Sequence, residues 1–293
     1  MKYENLSKSN LSEDILILGQ GYIGTFLHQQ LLQRGHHNVF IVGSNKLNYH
    51  NPSVLRTFLL NNGLGIVINC SGFTGRPNVD EGELKKEECW RLNVLSPISV
   101  ARTCNDLHVK YFHIGSGCIY DGYDKEFTEE DAPNFGLFDH SSFYSKSKHA
   151  FELHTRDLNV KVIRIRMPIC NDLGNPRNYL HKILNYKKLI NCINSKTYLP
   201  DLAGFLSSYI ENNTEWWTRQ DIYNVVNPDP LSTKDVLEIV NPSWLDSGVE
   251  WVNIKELSLA APRSNCVLDS SKACRWYPLQ TESEILQEVV WKQ

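Results

Sequence analysis

No apolar run in this 293-residue chain is long enough to span a bilayer, and the opening stretch MKYENLSKSNLSED lacks the apolar core of a signal peptide. No membrane partner is expected, and a reducing compartment follows: the cytoplasm, or a host's cytoplasm for a viral source. An excess of positive charge is missing too. The 30 Lys+Arg against 33 Asp+Glu leave a formal net charge of -3, which gives no footprint for nucleic acid. None of the 8 cysteines stands in a C-x-x-C spacing and no His/Cys cluster has zinc-site spacing. Neither a metal centre nor a structural disulfide is therefore expected. Repeats and low-complexity segments are absent. The remaining composition, 41% hydrophobic and 22% charged, is that of a globular protein with one large α/β domain or two smaller lobes.

Apolar periodicity then orders the chain. DILILG (Asp14–Gly19) reads as a strand, and Tyr22–Gly35 carries Ile23, Phe26, Leu27, Leu31 and Leu32 at helical spacing. Further strands are expected at Asn38–Val42, Ile66–Asn69, Tyr111–Ile114 and Val160–Arg166, with helices near Cys89–Leu107 and Tyr144–Thr155 between them. That alternation implies an α/β fold, a Rossmann-type doubly wound parallel sheet. After Met167 a helix-like Asn178–Lys188 is followed by irregular, polar, Trp-containing segments, then a helix capped at Ser232 or Thr233. The expected division is a cofactor domain over 1–166, completed by a later segment near 197–226, and a smaller lobe over 167–293 that is mainly substrate-binding.

The first turn, GQGYIG, places Gly19, Gly21 and Gly24 in G-x-G-x-x-G between strand and helix, with Tyr22 and Ile23 opening the helix. The first glycine permits a tight turn, the second a close backbone approach to a pyrophosphate, and the third close helix–sheet packing. The end of the second strand lacks the acid that would hold the ribose hydroxyls of NAD. Gly43, Ser44, Asn45 and Lys46 stand there instead, and a lysine with short polar donors suits a 2′-phosphate. NADPH is the expected cofactor, with NADH as the alternative.

Chemistry is concentrated between His113 and Lys148. HIGSGCIYDG (His113–Gly122) ends a strand at Ser116, and FYSKSK (Phe143–Lys148) puts Tyr144 and Lys148 one helical turn apart on one face. An ammonium beside a phenol favours the phenolate, so Tyr144 could pass a proton to a carbonyl oxygen bonded by Ser116 while a nicotinamide delivers hydride.

These residues together resemble an extended short-chain dehydrogenase/reductase of the sugar-nucleotide branch, over nearly the whole chain. SGFTGRPNVD (Ser71–Asp80), RLNV (Arg91–Val94), GCIYD (Gly117–Asp121), FYSKSK, RIRMPI (Arg164–Ile169), NPRN (Asn175–Asn178) and APRSNCVLD (Ala261–Asp269) are similar to the bifunctional UDP-4-keto-6-deoxyglucose 3,5-epimerase/4-reductases of plants and giant viruses. Bacterial dTDP-4-dehydrorhamnose reductases are more distant relatives. The resemblance implies the reductase roles for Ser116, Tyr144 and Lys148. It implies nucleotide-sugar contacts for Arg263 and Asn265, a pocket border at Arg76 and Asn78, and a cover over the sugar at Arg177 and Asn178. UDP-4-keto-6-deoxyglucose, supplied by a separate 4,6-dehydratase, is the implied substrate, and a homodimer is expected through helices Cys89–Leu107 and Tyr144–Thr155. Two departures are Ser116, where the plant sequences tend to have threonine, and a first turn one residue shorter.

A second chemistry is expected at Cys118. In a strand, residues two apart share a face, so Ser116 and Cys118 would line one pocket. The related GDP-fucose synthases pair a similar S-x-C with an acid on the helix after the MP segment, and here that helix offers Lys182 first and His181 second. The expected overall reaction inverts carbons 3 and 5, reduces carbon 4 and yields UDP-L-rhamnose. The rival readings are a reductase without epimerase activity and a non-catalytic NADP-binding regulatory protein on the same fold.

Overall fold

The computed structural model describes residues 13–76, 78–243 and 249–291. Short apolar runs build its six-stranded sheet: β1 (Ile15–Leu18), β2 (Val39–Val42), β3 (Ile66–Asn69), β4 (Lys110–Ser116), β5 (Lys161–Ile165) and β6 (Asp221–Asn224). All neighbours pair in parallel, in the order β6-β5-β4-β3-β1-β2. Every residue of β1, β3 and β5 is buried, as a parallel sheet covered on both faces requires. The chain leaves β1 toward one edge and returns to β3 on its other side, so a crevice opens beyond the carboxyl ends of β1 and β3.

Among the described residues, eight α-helices of seven or more residues position the rest: α1 (Tyr22–Gln33), α2 (Pro52–Asn62), α3 (Ser96–Leu107), α4 (Phe143–His154), α5 (Tyr179–Asn185), α6 (Leu199–Asn212), α7 (Thr233–Val240) and α8 (Glu282–Trp291). Leu27 and Leu31 of α1 join Leu202, Phe205, Leu206 and Tyr209 of α6 on one face of the sheet. Leu55 and Leu59 of α2, Val100 and Cys104 of α3, and Phe151 of α4 cover the other. Local signals set the ends. Asn51 caps α2 by accepting from the Ser53 and Val54 amides, Pro52 fills the first turn, and Gly63 closes the helix at φ +63. Ser232 and Asp235 form a reciprocal capping box on α7.

Two expectations change. The helical run before α3 is not uniform: Lys86–Trp90 is α-helical, Arg91–Leu95 is a π-turn, and α3 follows. Pro97 has no N–H for the carbonyl of Asn93 four residues back, so the ladder widens there. The region after α5 is less irregular than its polar character suggests. Its segment LPDLAGFLSSYIEN is α6, buried along almost its whole length, with Pro200 in its first turn. Small Gly204 and Ser207 permit close packing around it: a Cβ on Gly204 would stand 2.3 Å from Cζ of Tyr277.

A second core, with Ile169, Leu180, Ile183, Leu189, Val236, Leu237, Ile285 and Leu286, gathers α5, α7 and α8. Lys196 and Glu282 make a fully buried ion pair at its edge, 2.7 Å from Nζ to Oε2. The Lys196 ammonium also donates to the carbonyls of Asn194 and Leu231. Among the described residues no helix is long and apolar enough to cross a membrane.

Candidate active site

The glycine turn between β1 and α1 forms one end of a cleft of about 650 Å³. Gly19 adopts φ +102, and a Cβ on it would stand 2.9 Å from the amide nitrogen of Ser71 at the end of β3. A Cβ on Gly24 would lie only 2.0 Å from the carbonyl oxygen of Gly19, which enforces glycine at the third position. Gly21 caps α1 in extended conformation with no side-chain acceptor, no acid follows in the first turn, and a Cβ there would meet nothing within 4 Å. The helix N-terminus therefore presents amides and open space, which suits a phosphate. Tyr22 and Ile23 line the cleft beside it. The Tyr22 hydroxyl donates to Sγ of Cys170 at 3.2 Å, and burial pushes this phenol far above its usual pKa. At the end of β2, Ser44, Asn45 and Lys46 are exposed, and the Lys46 amide closes a turn on the carbonyl of Gly43 at 3.0 Å.

Tyr144, in the first turn of α4, stands in the cleft wall. Ser142 caps that helix by accepting from the Ser145 amide. The Ser116 hydroxyl at the end of β4 stands close enough to the phenol of Tyr144 to act on it. Burial pushes that phenol well up, the Cys118 thiol adds to the effect, and the Ser116 hydroxyl and the Arg166 charge oppose it. Lys148 is 6% exposed, with Nζ 5.7 Å from the centre of the Tyr144 ring. Burial lowers its pKa, while Cys118, Cys89 and Glu152 partly restore it. Gly72, after β3, lets the backbone lie against this pair: a Cβ there would be 3.7 Å from Nζ of Lys148 and 3.0 Å from Oδ1 of Asn93.

The expected strand alternation does not extend to Cys118. β4 ends at Ser116 and the chain turns over Gly117–Ile119, with the Cys118 amide donating to Oγ of Ser116 at 3.3 Å. The turn, not a shared strand face, brings the half-buried thiol close enough to act on Tyr144 and Lys148, and neither Ser116 nor Cys118 is among the residues that line the cleft, contrary to expectation.

Arg177, Lys182, Arg263, Asn78 and Asn265 also line the cleft. Arg177 donates to Oγ1 of Thr74 at 3.2 Å and to the carbonyl of Gly75 at 3.0 Å. Arg263 grips Asp80 with both nitrogens, at 2.8 and 2.9 Å, and holds that carboxyl below the usual range. The Asn265 side chain accepts from Nδ2 of Asn194 at 2.9 Å. Burial, with the charge of Arg177, lowers the pKa of Lys182. His181 does not line the cleft; its Nδ1 lies 2.7 Å from the carbonyl oxygen of Leu173.

Two expected contact residues stand elsewhere. Asn178 is wholly buried: its Oδ1 caps α5 on the Leu180 amide, and its Nδ2 donates to the carbonyls of Cys170 and Asp172. Its amide is committed to shaping the backbone. Arg76 is exposed outside the lining residues, with its backbone amide on Oε2 of Glu81. Conversely, Asp80 and Asn93 matter more than their motifs suggested. Asn93, in the π-turn, donates to the Phe73 carbonyl and to Oγ of Ser147, and accepts from the Phe73 amide at 2.7 Å. It ties the loop after β3 to α4. Its place in RLNV was the available signal, but only the wide turn aims the amide.

A family model, the RmlD substrate binding domain, matches residues 13–292. The chain is 37% identical over 224 residues to the trifunctional UDP-glucose 4,6-dehydratase/UDP-4-keto-6-deoxy-D-glucose 3,5-epimerase/UDP-4-keto-L-rhamnose-reductase RHM3 of Arabidopsis thaliana, across 72% of itself. It spans about a third of that relative's length, 32%. It is 36% identical over 225 residues to the bifunctional dTDP-4-dehydrorhamnose 3,5-epimerase/dTDP-4-dehydrorhamnose reductase of the same plant, across 72% of this chain and 71% of the other. The crystal structure of the L780 UDP-rhamnose synthase from Acanthamoeba polyphaga mimivirus superposes with a TM-score of 0.82 at 27% identity, covering 96% of this chain and 99% of that one. A dTDP-4-dehydrorhamnose reductase from Bacillus anthracis, solved in complex with NADP, shares the fold with a TM-score of 0.78 at 18% identity, covering 97% and 100%.

Proposed function

The chain belongs to the RmlD substrate-binding-domain family, and on that premise we propose that it converts UDP-4-keto-6-deoxy-D-glucose to UDP-L-rhamnose by inverting carbons 3 and 5 and then reducing the 4-keto group with NADPH. The observation that carries this reading is Tyr144 in the cleft wall, with the Ser116 hydroxyl at the end of β4 close enough to act on it and the buried Lys148 one helical turn along. The open helix N-terminus at Gly21 fits a dinucleotide pyrophosphate, and the exposed Ser44, Asn45 and Lys46, with no acid among them, fit a 2′-phosphate. NADPH bound there supplies hydride to carbon 4.

The chain's own groups do the rest. Ser116 donates to the carbonyl oxygen, and Tyr144 transfers its proton to that oxygen, with Lys148 offsetting the charge left on the phenol. A phenol raised by burial is protonated before the reaction, as a proton donor must be. For epimerisation, Cys118 takes the proton beside the ketone and Lys182 returns one to the other face. Lys182 is favoured over His181 because it lines the cleft and His181 does not. Arg177 and Arg263 supply positive charge for the nucleotide diphosphate. In this scheme 1–166, with a segment near 197–226, holds the cofactor, and 167–293 mainly holds the sugar nucleotide. A separate 4,6-dehydratase supplies the keto sugar, and two copies pair through α3 and α4.

The test is incubation with UDP-4-keto-6-deoxyglucose and NADPH in deuterated water. Oxidation of NADPH with deuterium at carbons 3 and 5 of UDP-L-rhamnose is the expected result. Oxidation without deuterium reduces the reading to a 4-ketoreductase. NADPH binding without turnover favours the regulatory rival.

A further inference from the structure

Among the described residues, a buried cation without an ion-pair partner stands behind the reducing site. Arg166 follows β5 and is 6% exposed. Its guanidinium donates to Oγ and the carbonyl oxygen of Ser264 at 3.1 and 3.0 Å and to Oδ1 of Asn194 at 2.5 Å. All three acceptors are neutral, and its Nε has no partner. Arginine does not escape burial by losing its proton, so this charge is permanent, and neutral acceptors only partly offset its desolvation.

The surroundings connect it to the reacting residues. A Cβ on Gly117 would lie 3.1 Å from both Cγ and Cδ of Arg166, so the arginine stem lies against the glycine between Ser116 and Cys118. The Ser264 hydroxyl, while accepting from Arg166, donates to the carbonyl of Tyr120 at 2.5 Å. Asn194 Oδ1 also accepts from the Cys266 amide, and Sγ of Cys266 lies 3.7 Å from the carbonyl oxygen of Gly117. The fork thus braces the turn after β4 from two sides. The same charge acts on the phenol of Tyr144, which is otherwise faced by Cys118 from the turn and Cys89 from the helix before the π-turn, with Lys148 one turn along α4. The other titratable groups Arg166 acts on are Cys192, Cys266, Tyr123 and the buried Lys196, which is paired with Glu282; Asp121 is the carboxylate that acts on Cys266 and Tyr123.

We propose that Arg166 is a positioning residue of the reducing site. Its fork holds the Ser116–Gly117–Cys118 turn, and its charge supports the anion that Tyr144 becomes. The inference rests on the reductase reading above. When the phenol O–H bond breaks, the proton goes to the oxygen on carbon 4 as hydride from NADPH reaches the carbon, and a phenolate remains. Arg166 lowers the cost of that phenolate, while the amine of Lys148 is itself weakened as a cation by burial.

The reverse direction reads this directly. In oxidation of UDP-L-rhamnose by NADP⁺, Tyr144 must be the phenolate; the positive nicotinamide ring of bound NADP⁺ opposes the burial that raises the phenol, and the rate climbs with pH through the pKa of that complex. Arg166→Met should move that limb up by about one pH unit, so that the rate falls about tenfold below the limb and recovers above it. Asn194→Asp gives the guanidinium the counter-charge it lacks, at the loss of the bond to Asn265, and should move the limb the same way; it serves where Arg166→Met does not fold. Arg166→Lys keeps the charge and should leave the limb in place with a lower plateau. A limb at the wild-type pH in folded Arg166→Met, or in Asn194→Asp, overturns the proposal, whatever happens to the plateau. A wild-type protein that neither reduces the 4-keto sugar nor oxidises UDP-L-rhamnose overturns the reductase reading, and this inference with it.

Discussion

Tyr144 and Lys182 carry opposite perturbations, and each leads to a pH-dependent expectation. Burial raises the Tyr144 phenol, so it remains a proton donor across the neutral range. Tyr144→Phe removes the donor without disturbing the Gly19–Gly24 turn. Reduction should fall by about 10²–10⁴-fold, the usual worth of a positioned general acid, while NADPH still binds by fluorescence titration. Full activity in that variant would remove Tyr144 from the mechanism. Lys182 is lowered, chiefly by burial and then by Arg177. As the proposed acid of epimerisation it works only while protonated, so deuterium incorporation should decline as pH rises through its depressed pKa. Lys182→Met has no proton to give, so incorporation should fall at every pH and the decline should vanish. An unchanged decline would assign the acid elsewhere. The Ser116, Tyr144 and Lys148 types were readable in the sequence because their spacing is local to one strand end and one helix. Asn178 was not: nothing in NPRN says that its amide will turn inward to Cys170, Asp172 and Leu180.

At the scale of elements, the glycine turn is the clearest constraint. A methyl at position 24 would press within 2.0 Å of the Gly19 carbonyl, which belongs to rigid backbone, so α1 must shift from the sheet. Gly24→Ala should cost about 1–3 kcal/mol in denaturant unfolding, the range for overpacking, and should weaken NADPH binding more than it weakens the fold. Loss of stability with unchanged NADPH affinity would separate this turn from the cofactor. Five of the six strands, all but β6, and α1, α4 and α7 were legible from apolar runs, periodicity and caps. The π-turn at Arg91–Leu95 was not, because a helix widened by one residue keeps nearly the same pattern of apolar positions; Pro97 was its one local mark. α6 was hidden for another reason: a helix buried almost all round loses the polar stripe that marks an amphipathic one.

In the whole molecule, the two cores are joined by pairs that are distant in sequence. Lys196 and Glu282 are buried together; the Glu282 carboxylate also accepts from the Lys196 and Leu231 amides, and the Lys196 ammonium donates to the carbonyls of Asn194 and Leu231. Removing one partner leaves a buried charge, so Glu282→Ala should cost about 3–5 kcal/mol, read by chemical denaturation. A cost near zero would mean that water reaches Lys196. Asp80 and Arg263 form the corresponding strap across the cleft. Because the carboxyl is held below its unfolded value, its contribution is present above the usual aspartate range and is lost as pH falls through the lowered folded value. Asp80→Asn should therefore flatten the acid side of the melting temperature against pH. A wild-type slope in that variant would show the strap to be energetically silent.

The sequence alone determined the parallel α/β sheet, the glycine turn, the absence of an acid after β2 and the order Ser116, Tyr144, Lys148. Each depends on residues a few positions apart, where period and turn geometry act directly. Tertiary structure decided which polar groups face the cleft and which serve the fold. Arg263 meets Asp80 across 183 residues, and Arg166 meets Ser264 across 98. Whether a guanidinium lies free, paired or buried without a counter-charge depends on what packing brings to it from those distances, and no local pattern encodes that.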